Sequence, residues 1–173
     1  MPAHPSSNEL NMKLYAVMFV WNEEDVIEAT VKNAFAHGVD KVFLIDNGST
    51  DKTVQLAVRS GATPIHSVDT GYFDGKLKYG TVNAVIRQIN KNENDSSIWW
   101  LILDADEFPD TRLGIGLRAF LEALDSDVTV VAAELLDHLP THPPYNIPGY
   151  HPIHFQPAAS HISMHKLPLL RYD

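Results

Sequence analysis

The chain has no cysteine among its 173 residues. That excludes disulfides and thiolate metal sites and leaves carboxylates, imidazoles and water to hold any bound cation. Such a donor set favours hard ions, manganese or magnesium. Basic residues are also scarce: 13 Lys and Arg stand against 22 Asp and Glu, for a formal charge of −9. A nucleic-acid partner is not expected, because that grip needs clustered Lys and Arg to displace counterions from phosphates. The acidity does not exclude a small phosphorylated ligand, since a divalent cation between carboxylates and a diphosphate reverses the local field. No stretch approaches the roughly 20 apolar residues that span a bilayer, so no transmembrane segment is expected. Residues 1–10 lack the basic and apolar regions of a secretory signal. The expected address is the cytoplasm, with peripheral attachment to a membrane left open.

What is present alternates between strand and helix. The apolar run ending at Val20 has strand length and the aromatic and β-branched residues of a buried strand, starting near Lys13. Asn22 reads as a helix cap, with acids in the first turn and Val26, Ile27, Thr30, Val31 and Ala34 at helical spacing up to Gly38. Lys41 to Ile45 reads as a second strand, Asp51 to Ser60 as a helix closed by Gly61, and Thr63 to Val68 as a third strand. A helix is predicted from about Gly75 to Ile89, and Ile98 to Leu103 as a central strand buried on both faces. A helix near Leu113 to Leu124 and a strand near Val128 to Glu134 follow. The expected fold is α/β: an open, mostly parallel sheet with helices on both faces. From Leu139 onward, prolines including Pro140, Pro143, Pro144, Pro148, Pro152, Pro157 and Pro168 predict an irregular, Pro- and His-rich tail without long regular elements. The division is therefore 1–138 for an α/β domain and 139–173 for an extension, either part of that domain or the start of an acceptor region.

Three polar clusters follow predicted strands: Trp21-Asn22-Glu23, Asp46-Asn47-Gly48-Ser49-Thr50-Asp51, and Asp104-Ala105-Asp106-Glu107. In an open α/β sheet these converge on the carboxyl edge, where ligands collect. Any one alone reads more readily as helix caps and turn formers; three at equivalent positions favour a site. Asp104 and Asp106, one small residue apart, repel when both are ionised. A divalent cation removes that penalty while offering its remaining positions to phosphate oxygens.

The run VWNEEDVIEATVKNAFAHGVDKVFLIDNGSTDKT followed by WWLILDADEF resembles the donor-binding half of glycosyltransferase family 2, the GT-A fold, from about Leu14 to Phe108. The resemblance implies a metal-dependent transfer of a hexosyl or related sugar from a nucleotide diphosphate sugar. Inversion and a uridine diphosphate donor are the usual family pattern. By position it implies Trp21 beside the base, with Asn22 and Glu23 by the nucleoside. Asp46 and Asn47 stand at base or ribose, with Asn47 replacing the family's second acid. Asp106 is implied as a direct metal ligand, and Asp104 as reaching ribose or a metal-bound water. Val82 stands where relatives often carry a basic residue, so Lys76 or Lys78 is the substitute for meeting the diphosphate, with Lys76 taken as the candidate. A late histidine, His165, is a candidate metal ligand, with His138 and His161 as alternatives. The family's general base lies well downstream of Asp-x-Asp; Asp137 is the candidate here, against a base carried on a further C-terminal portion. The acceptor, a glycan, lipid or protein, is not legible. A haloacid-dehalogenase-type phosphatase carries Asp-x-Asp near its start, not in a fourth strand, and a sugar nucleotidylyltransferase needs a glycine-rich first loop absent here. A non-catalytic nucleotide-sugar-binding module or truncated remnant stays open as the alternative.

Overall fold

The structure, a computed structural model, describes residues 12–72, 74–93, 97–137 and 161–172. Its elements are β1 (Lys13–Val20), α1 (Ile27–Ala36), β2 (Lys41–Asp46), α2 (Thr53–Arg59), β3 (Thr63–Ser67), α3 (Gly75–Asn92), β4 (Ile98–Leu103), α4 (Leu117–Glu122), β5 (Val130–Asp137) and β6 (His161–Tyr172). The six strands form one sheet in the order β3-β2-β1-β4-β6-β5. The first four pair in parallel, while β6 runs antiparallel to both β4 and β5. The sheet is thus mostly parallel, as the alternation of elements predicts.

Both faces of β1 are buried because each has its own helices. Ile27, Val31 and Ala34 of α1, Ala57 of α2 and Leu117 and Leu121 of α4 pack with Leu14, Ala16, Met18 and Val20 on one face. Val82, Val85 and Ile86 of α3 pack with Tyr15, Val17 and Phe19 on the other. Trp100 is fully buried in this second layer, with Tyr15 edge-on at 5.5 Å and its indole N–H donating to Asn90 Oδ1 at 2.9 Å. Those contacts satisfy the one polar atom of a large apolar ring, so Trp100 is core, as is the 3% exposed Trp99.

Two local expectations are corrected. α1 starts at Ile27 with Val26 at its N-cap, so Asn22 does not cap it: Asn22 takes a left-handed φ of 55° and its side chain bonds across to the next loop. The irregular tail is the second. Its part 138–160, with His138 and the boundary at 138/139, lies outside the described residues, but 161–172 is a 12-residue strand inserted between β4 and β5. Pro168 is accommodated because the β5–β6 register shifts there, from Val131↔Leu169 to Ala133↔Lys166. A bulge is where a strand can lose a ladder donor at little cost. Among the described residues no helix is long and apolar enough to cross a membrane.

Candidate functional site

Chain order places a topological switch point between β1 and β4: β2 and β3 lie to one side of β1, and the chain then crosses to β4 on the other. Such a point opens a crevice at the carboxyl ends of the strands. A cleft of about 210 Å³ lies there, lined by Phe19, Trp21, Glu23, Lys78, Asp104, Ala105 and Asp106. The first and third polar clusters thus meet at one place.

The Asp104–Glu107 turn is held from two sides. The Asp104 N–H donates to Glu107 Oε2 at 3.1 Å and the Glu107 N–H returns to the Asp104 carbonyl at 3.1 Å. From α1, the hydroxyl of the wholly buried Thr30 donates to the Ala105 carbonyl. Ala105 is pinned inward while Asp104 stays half-buried and Asp106 exposed. In the sequence Thr30 reads only as a helical-face residue; nothing around it points to a bond 75 residues away.

The second loop braces the first. The Asn22 N–H donates to Ser49 Oγ at 3.0 Å, the Thr50 N–H to Asn22 Oδ1 at 2.8 Å, the Glu23 N–H to Thr53 Oγ1 at 2.6 Å, and the Glu24 N–H to Asp51 Oδ2 at 3.1 Å. Asn22 therefore spends its side chain on the neighbouring loop. Asp46 accepts from the Ser49 N–H at 3.0 Å. Asn47 is 0% exposed; its Nδ2 donates to the Tyr72 carbonyl at 3.1 Å and its Oδ1 accepts from Thr70 Oγ1 at 3.0 Å. Neither Asp46 nor Asn47 lines the cleft. Asn47 anchors the segment 70–72.

Of the two candidate lysines, Lys78 is the one in the cleft. Its ammonium pairs with Asp104 Oδ1, and it is only 8% exposed, whereas Lys76 is exposed in the first turn of α3. Helical phase explains this. Lys78 lies four residues before Val82, on the same face; Val82, 1% exposed, is in the core, and one turn toward the carboxyl edge that face reaches Asp104. Asp74 caps the helix by accepting from the Lys76 and Leu77 N–H groups.

Carboxylates outnumber cations in this cleft. Burial pushes the Glu23 carboxyl above its ordinary range, and the charges of Asp106, Asp25, Asp51 and Asp104 push it the same way. Among the described residues no three His, Cys, Asp or Glu side chains converge to hold a metal by themselves. The hard oxygen donors and the excess negative charge nevertheless fit manganese or magnesium, provided that a ligand supplies further oxygens.

The remaining candidates lie on the antiparallel strands. His165 pairs with Glu134 of β5, and Asp137 at the end of β5 pairs with His161. The β4–β6 ladder ends at Leu101↔Leu169, so β6 continues past the carboxyl end of β4.

Residues 15–160 match the family described as glycosyl transferase family 2. That is most of the chain, and the chain belongs to this family, as its motifs imply. An uncharacterised protein of Methanocaldococcus jannaschii is 36% identical over 80 residues, 46% of this chain and 33% of that protein. Among solved structures, glucosyl-3-phosphoglycerate synthase of Mycobacterium tuberculosis has 21% identity and a TM-score of 0.39, covering 58% of this chain and 36% of that one. The same enzyme in complex with Mn2+, uridine diphosphate and phosphoglyceric acid has 23% identity and a TM-score of 0.38, covering 54% and 33%. The matched part spans about a third of the length of each of these proteins.

Proposed function

We propose that this chain is the donor-binding half of a metal-dependent glycosyltransferase, moving a hexosyl or related sugar from a nucleotide diphosphate sugar, with uridine diphosphate favoured, to a glycan, lipid or protein acceptor. The observation that carries the reading is the convergence of Trp21, Glu23, Lys78, Asp104 and Asp106 on one cleft at the β1/β4 switch point. Family membership supports it independently.

In this reading Trp21 offers its ring to the nucleobase, with Asp46 on the base side and Glu23 and Asp104 toward the ribose. Asp106 is the main carboxylate for manganese or magnesium, and His165 is a second candidate. A bound divalent cation supplies charge neutralisation at the diphosphate. Lys78 adds a fixed positive charge for the departing diphosphate oxygen. An acceptor hydroxyl forms its bond to the anomeric carbon as the bond to the diphosphate oxygen breaks, with inversion. The hydroxyl proton passes to a carboxylate base, for which Asp137 is the candidate.

The test is slow release of nucleoside diphosphate from a panel of nucleotide sugars in the presence of manganese. Release from one donor, lost in Asp106→Asn, is expected. Binding of a donor with no release under any acceptor would instead make the chain a non-catalytic nucleotide-sugar-binding module.

A further inference from the structure

Tyr79 has the helical phase of a core residue and the exposure of a surface one. It lies three residues before Val82 and seven before Ile86, the spacing of one helix face, and both of those are buried. Tyr79 is 57% exposed. The difference is one of height: in this first part of α3 the stripe has run past the sheet, and its neighbour Lys78 lines the cleft instead of the core. Helical side chains lean toward the N-terminus, so the ring of Tyr79 leans to the cleft side as well. Its centroid lies 5.9 Å from the Lys78 ammonium. Among the described residues nothing stands within 4 Å of where a Cβ on the adjoining Gly80 would sit, so the approach to the ring is open.

We propose that Tyr79 is the platform for the transferred hexose and a determinant of which hexose is accepted. The inference rests on the donor-site reading above and deepens it. In that reading Lys78 faces the departing diphosphate oxygen, and the hexose is joined to that same oxygen through its anomeric carbon. An aromatic ring beside the ammonium is therefore beside the sugar. One face of a pyranose presents polarised C–H groups, which the electron-rich face of a tyrosine attracts. The same contact discriminates epimers, because a hydroxyl turned toward the ring replaces a C–H group by a polar one that loses its water without gaining a partner.

The test is calorimetry with manganese, using whichever of uridine, guanosine and thymidine diphosphate wild type binds, free and joined to glucose, galactose or mannose. It compares wild type with Tyr79→Ala, Tyr79→Phe and Tyr79→Trp. Tyr172→Ala serves as a control at the far edge of the sheet, where Tyr172 pairs with Ile98 at the start of β4. Tyr79→Ala should bind the preferred hexose nucleotide about five- to tenfold more weakly, while the free diphosphate stays within about twofold of wild type. Its preference among the three hexoses should flatten. Tyr79→Phe and Tyr79→Trp should keep both the affinity and the preference, and Tyr172→Ala should match wild type throughout. Four results overturn the platform while leaving the donor site standing: a wild type indifferent to the hexose, unchanged hexose-nucleotide affinity in Tyr79→Ala, an equal loss for the free diphosphate, or a loss in Tyr79→Phe as large as in Tyr79→Ala. Failure of wild type to bind any of the three diphosphates with manganese overturns the donor-site reading itself.

Discussion

The hydroxyl of Thr30, buried on α1, donates to the carbonyl of Ala105, the residue between Asp104 and Asp106. Helix and Asp-x-Asp turn are thereby one mechanical unit. Thr30→Val keeps the shape but leaves a buried carbonyl unpaired, costing about 1–3 kcal/mol of stability. Thermal unfolding checks this, and Thr30→Ser should retain most of the wild-type value. Manganese-dependent nucleotide binding should weaken in Thr30→Val more than in Thr30→Ser.

Asn47 gives a second expectation. Its amide bridges Thr70 and the Tyr72 carbonyl with no exposure to solvent. Asn47→Asp places a carboxylate against that carbonyl, replacing a donor by an acceptor in a buried place. A loss of about 3 kcal/mol is expected in denaturant unfolding at neutral pH. Nucleobase preference, measured by competition among nucleoside diphosphates, should stay as in wild type. A switch of preference with unchanged stability would make Asn47 a base reader.

At the opposite edge of the sheet, Glu93 accepts from Lys13, from Tyr15 at 3.0 Å and from Lys41 at 3.3 Å. Lys13 foremost and then Tyr15 hold its carboxyl down at about 2, against an ordinary 4.5. A lowered folded value means stability that is present above pH 4.5 and is lost as pH falls toward 2. Glu93→Gln lacks this contribution. Its melting temperature should sit about 2–4 °C below wild type near pH 7, for a loss of about 1 kcal/mol. The two curves should converge on acidification.

Glu23 sits among the cleft acids, where burial first and then the neighbouring carboxylates disfavour its ionised form. Removing it should relieve repulsion, so Glu23→Gln is expected to raise the melting temperature slightly at neutral pH in metal-free buffer while weakening nucleotide binding. A stability gain joined to a loss of binding is the pattern of a functional site that stores unfavourable charge. A variant that loses stability would show Glu23 to be structural.

The sequence made the strand–helix alternation legible because each element carries its own periodicity, from the apolar run of β1 to the 18-residue α3. The sites of failure are those decided over a distance. Asn22 looks like a cap beside a helical pattern, yet its partner is Thr50 in another loop. Pro168 argues against a strand until a bulge in the pairing with β5 removes the need for its donor. The insertion of β6 between β4 and β5 leaves no local trace at all. Trp21, Glu23, Asp104 and Asp106 could be read by their places after strands, and they share one cleft. Of the two lysines, Lys78 shares the buried phase of Val82, Val85 and Ile86 and lines the cleft, whereas Lys76 is exposed.

The central claim is a cation and a diphosphate held together beside Asp104 and Asp106. Calorimetric titration of uridine, guanosine and thymidine diphosphates into the protein, with and without manganese, tests it most directly. One nucleotide should bind in a manganese-dependent way, and Asp106→Asn should abolish that dependence while melting as wild type does. Equal binding with and without manganese, or full manganese dependence in Asp106→Asn, would contradict it.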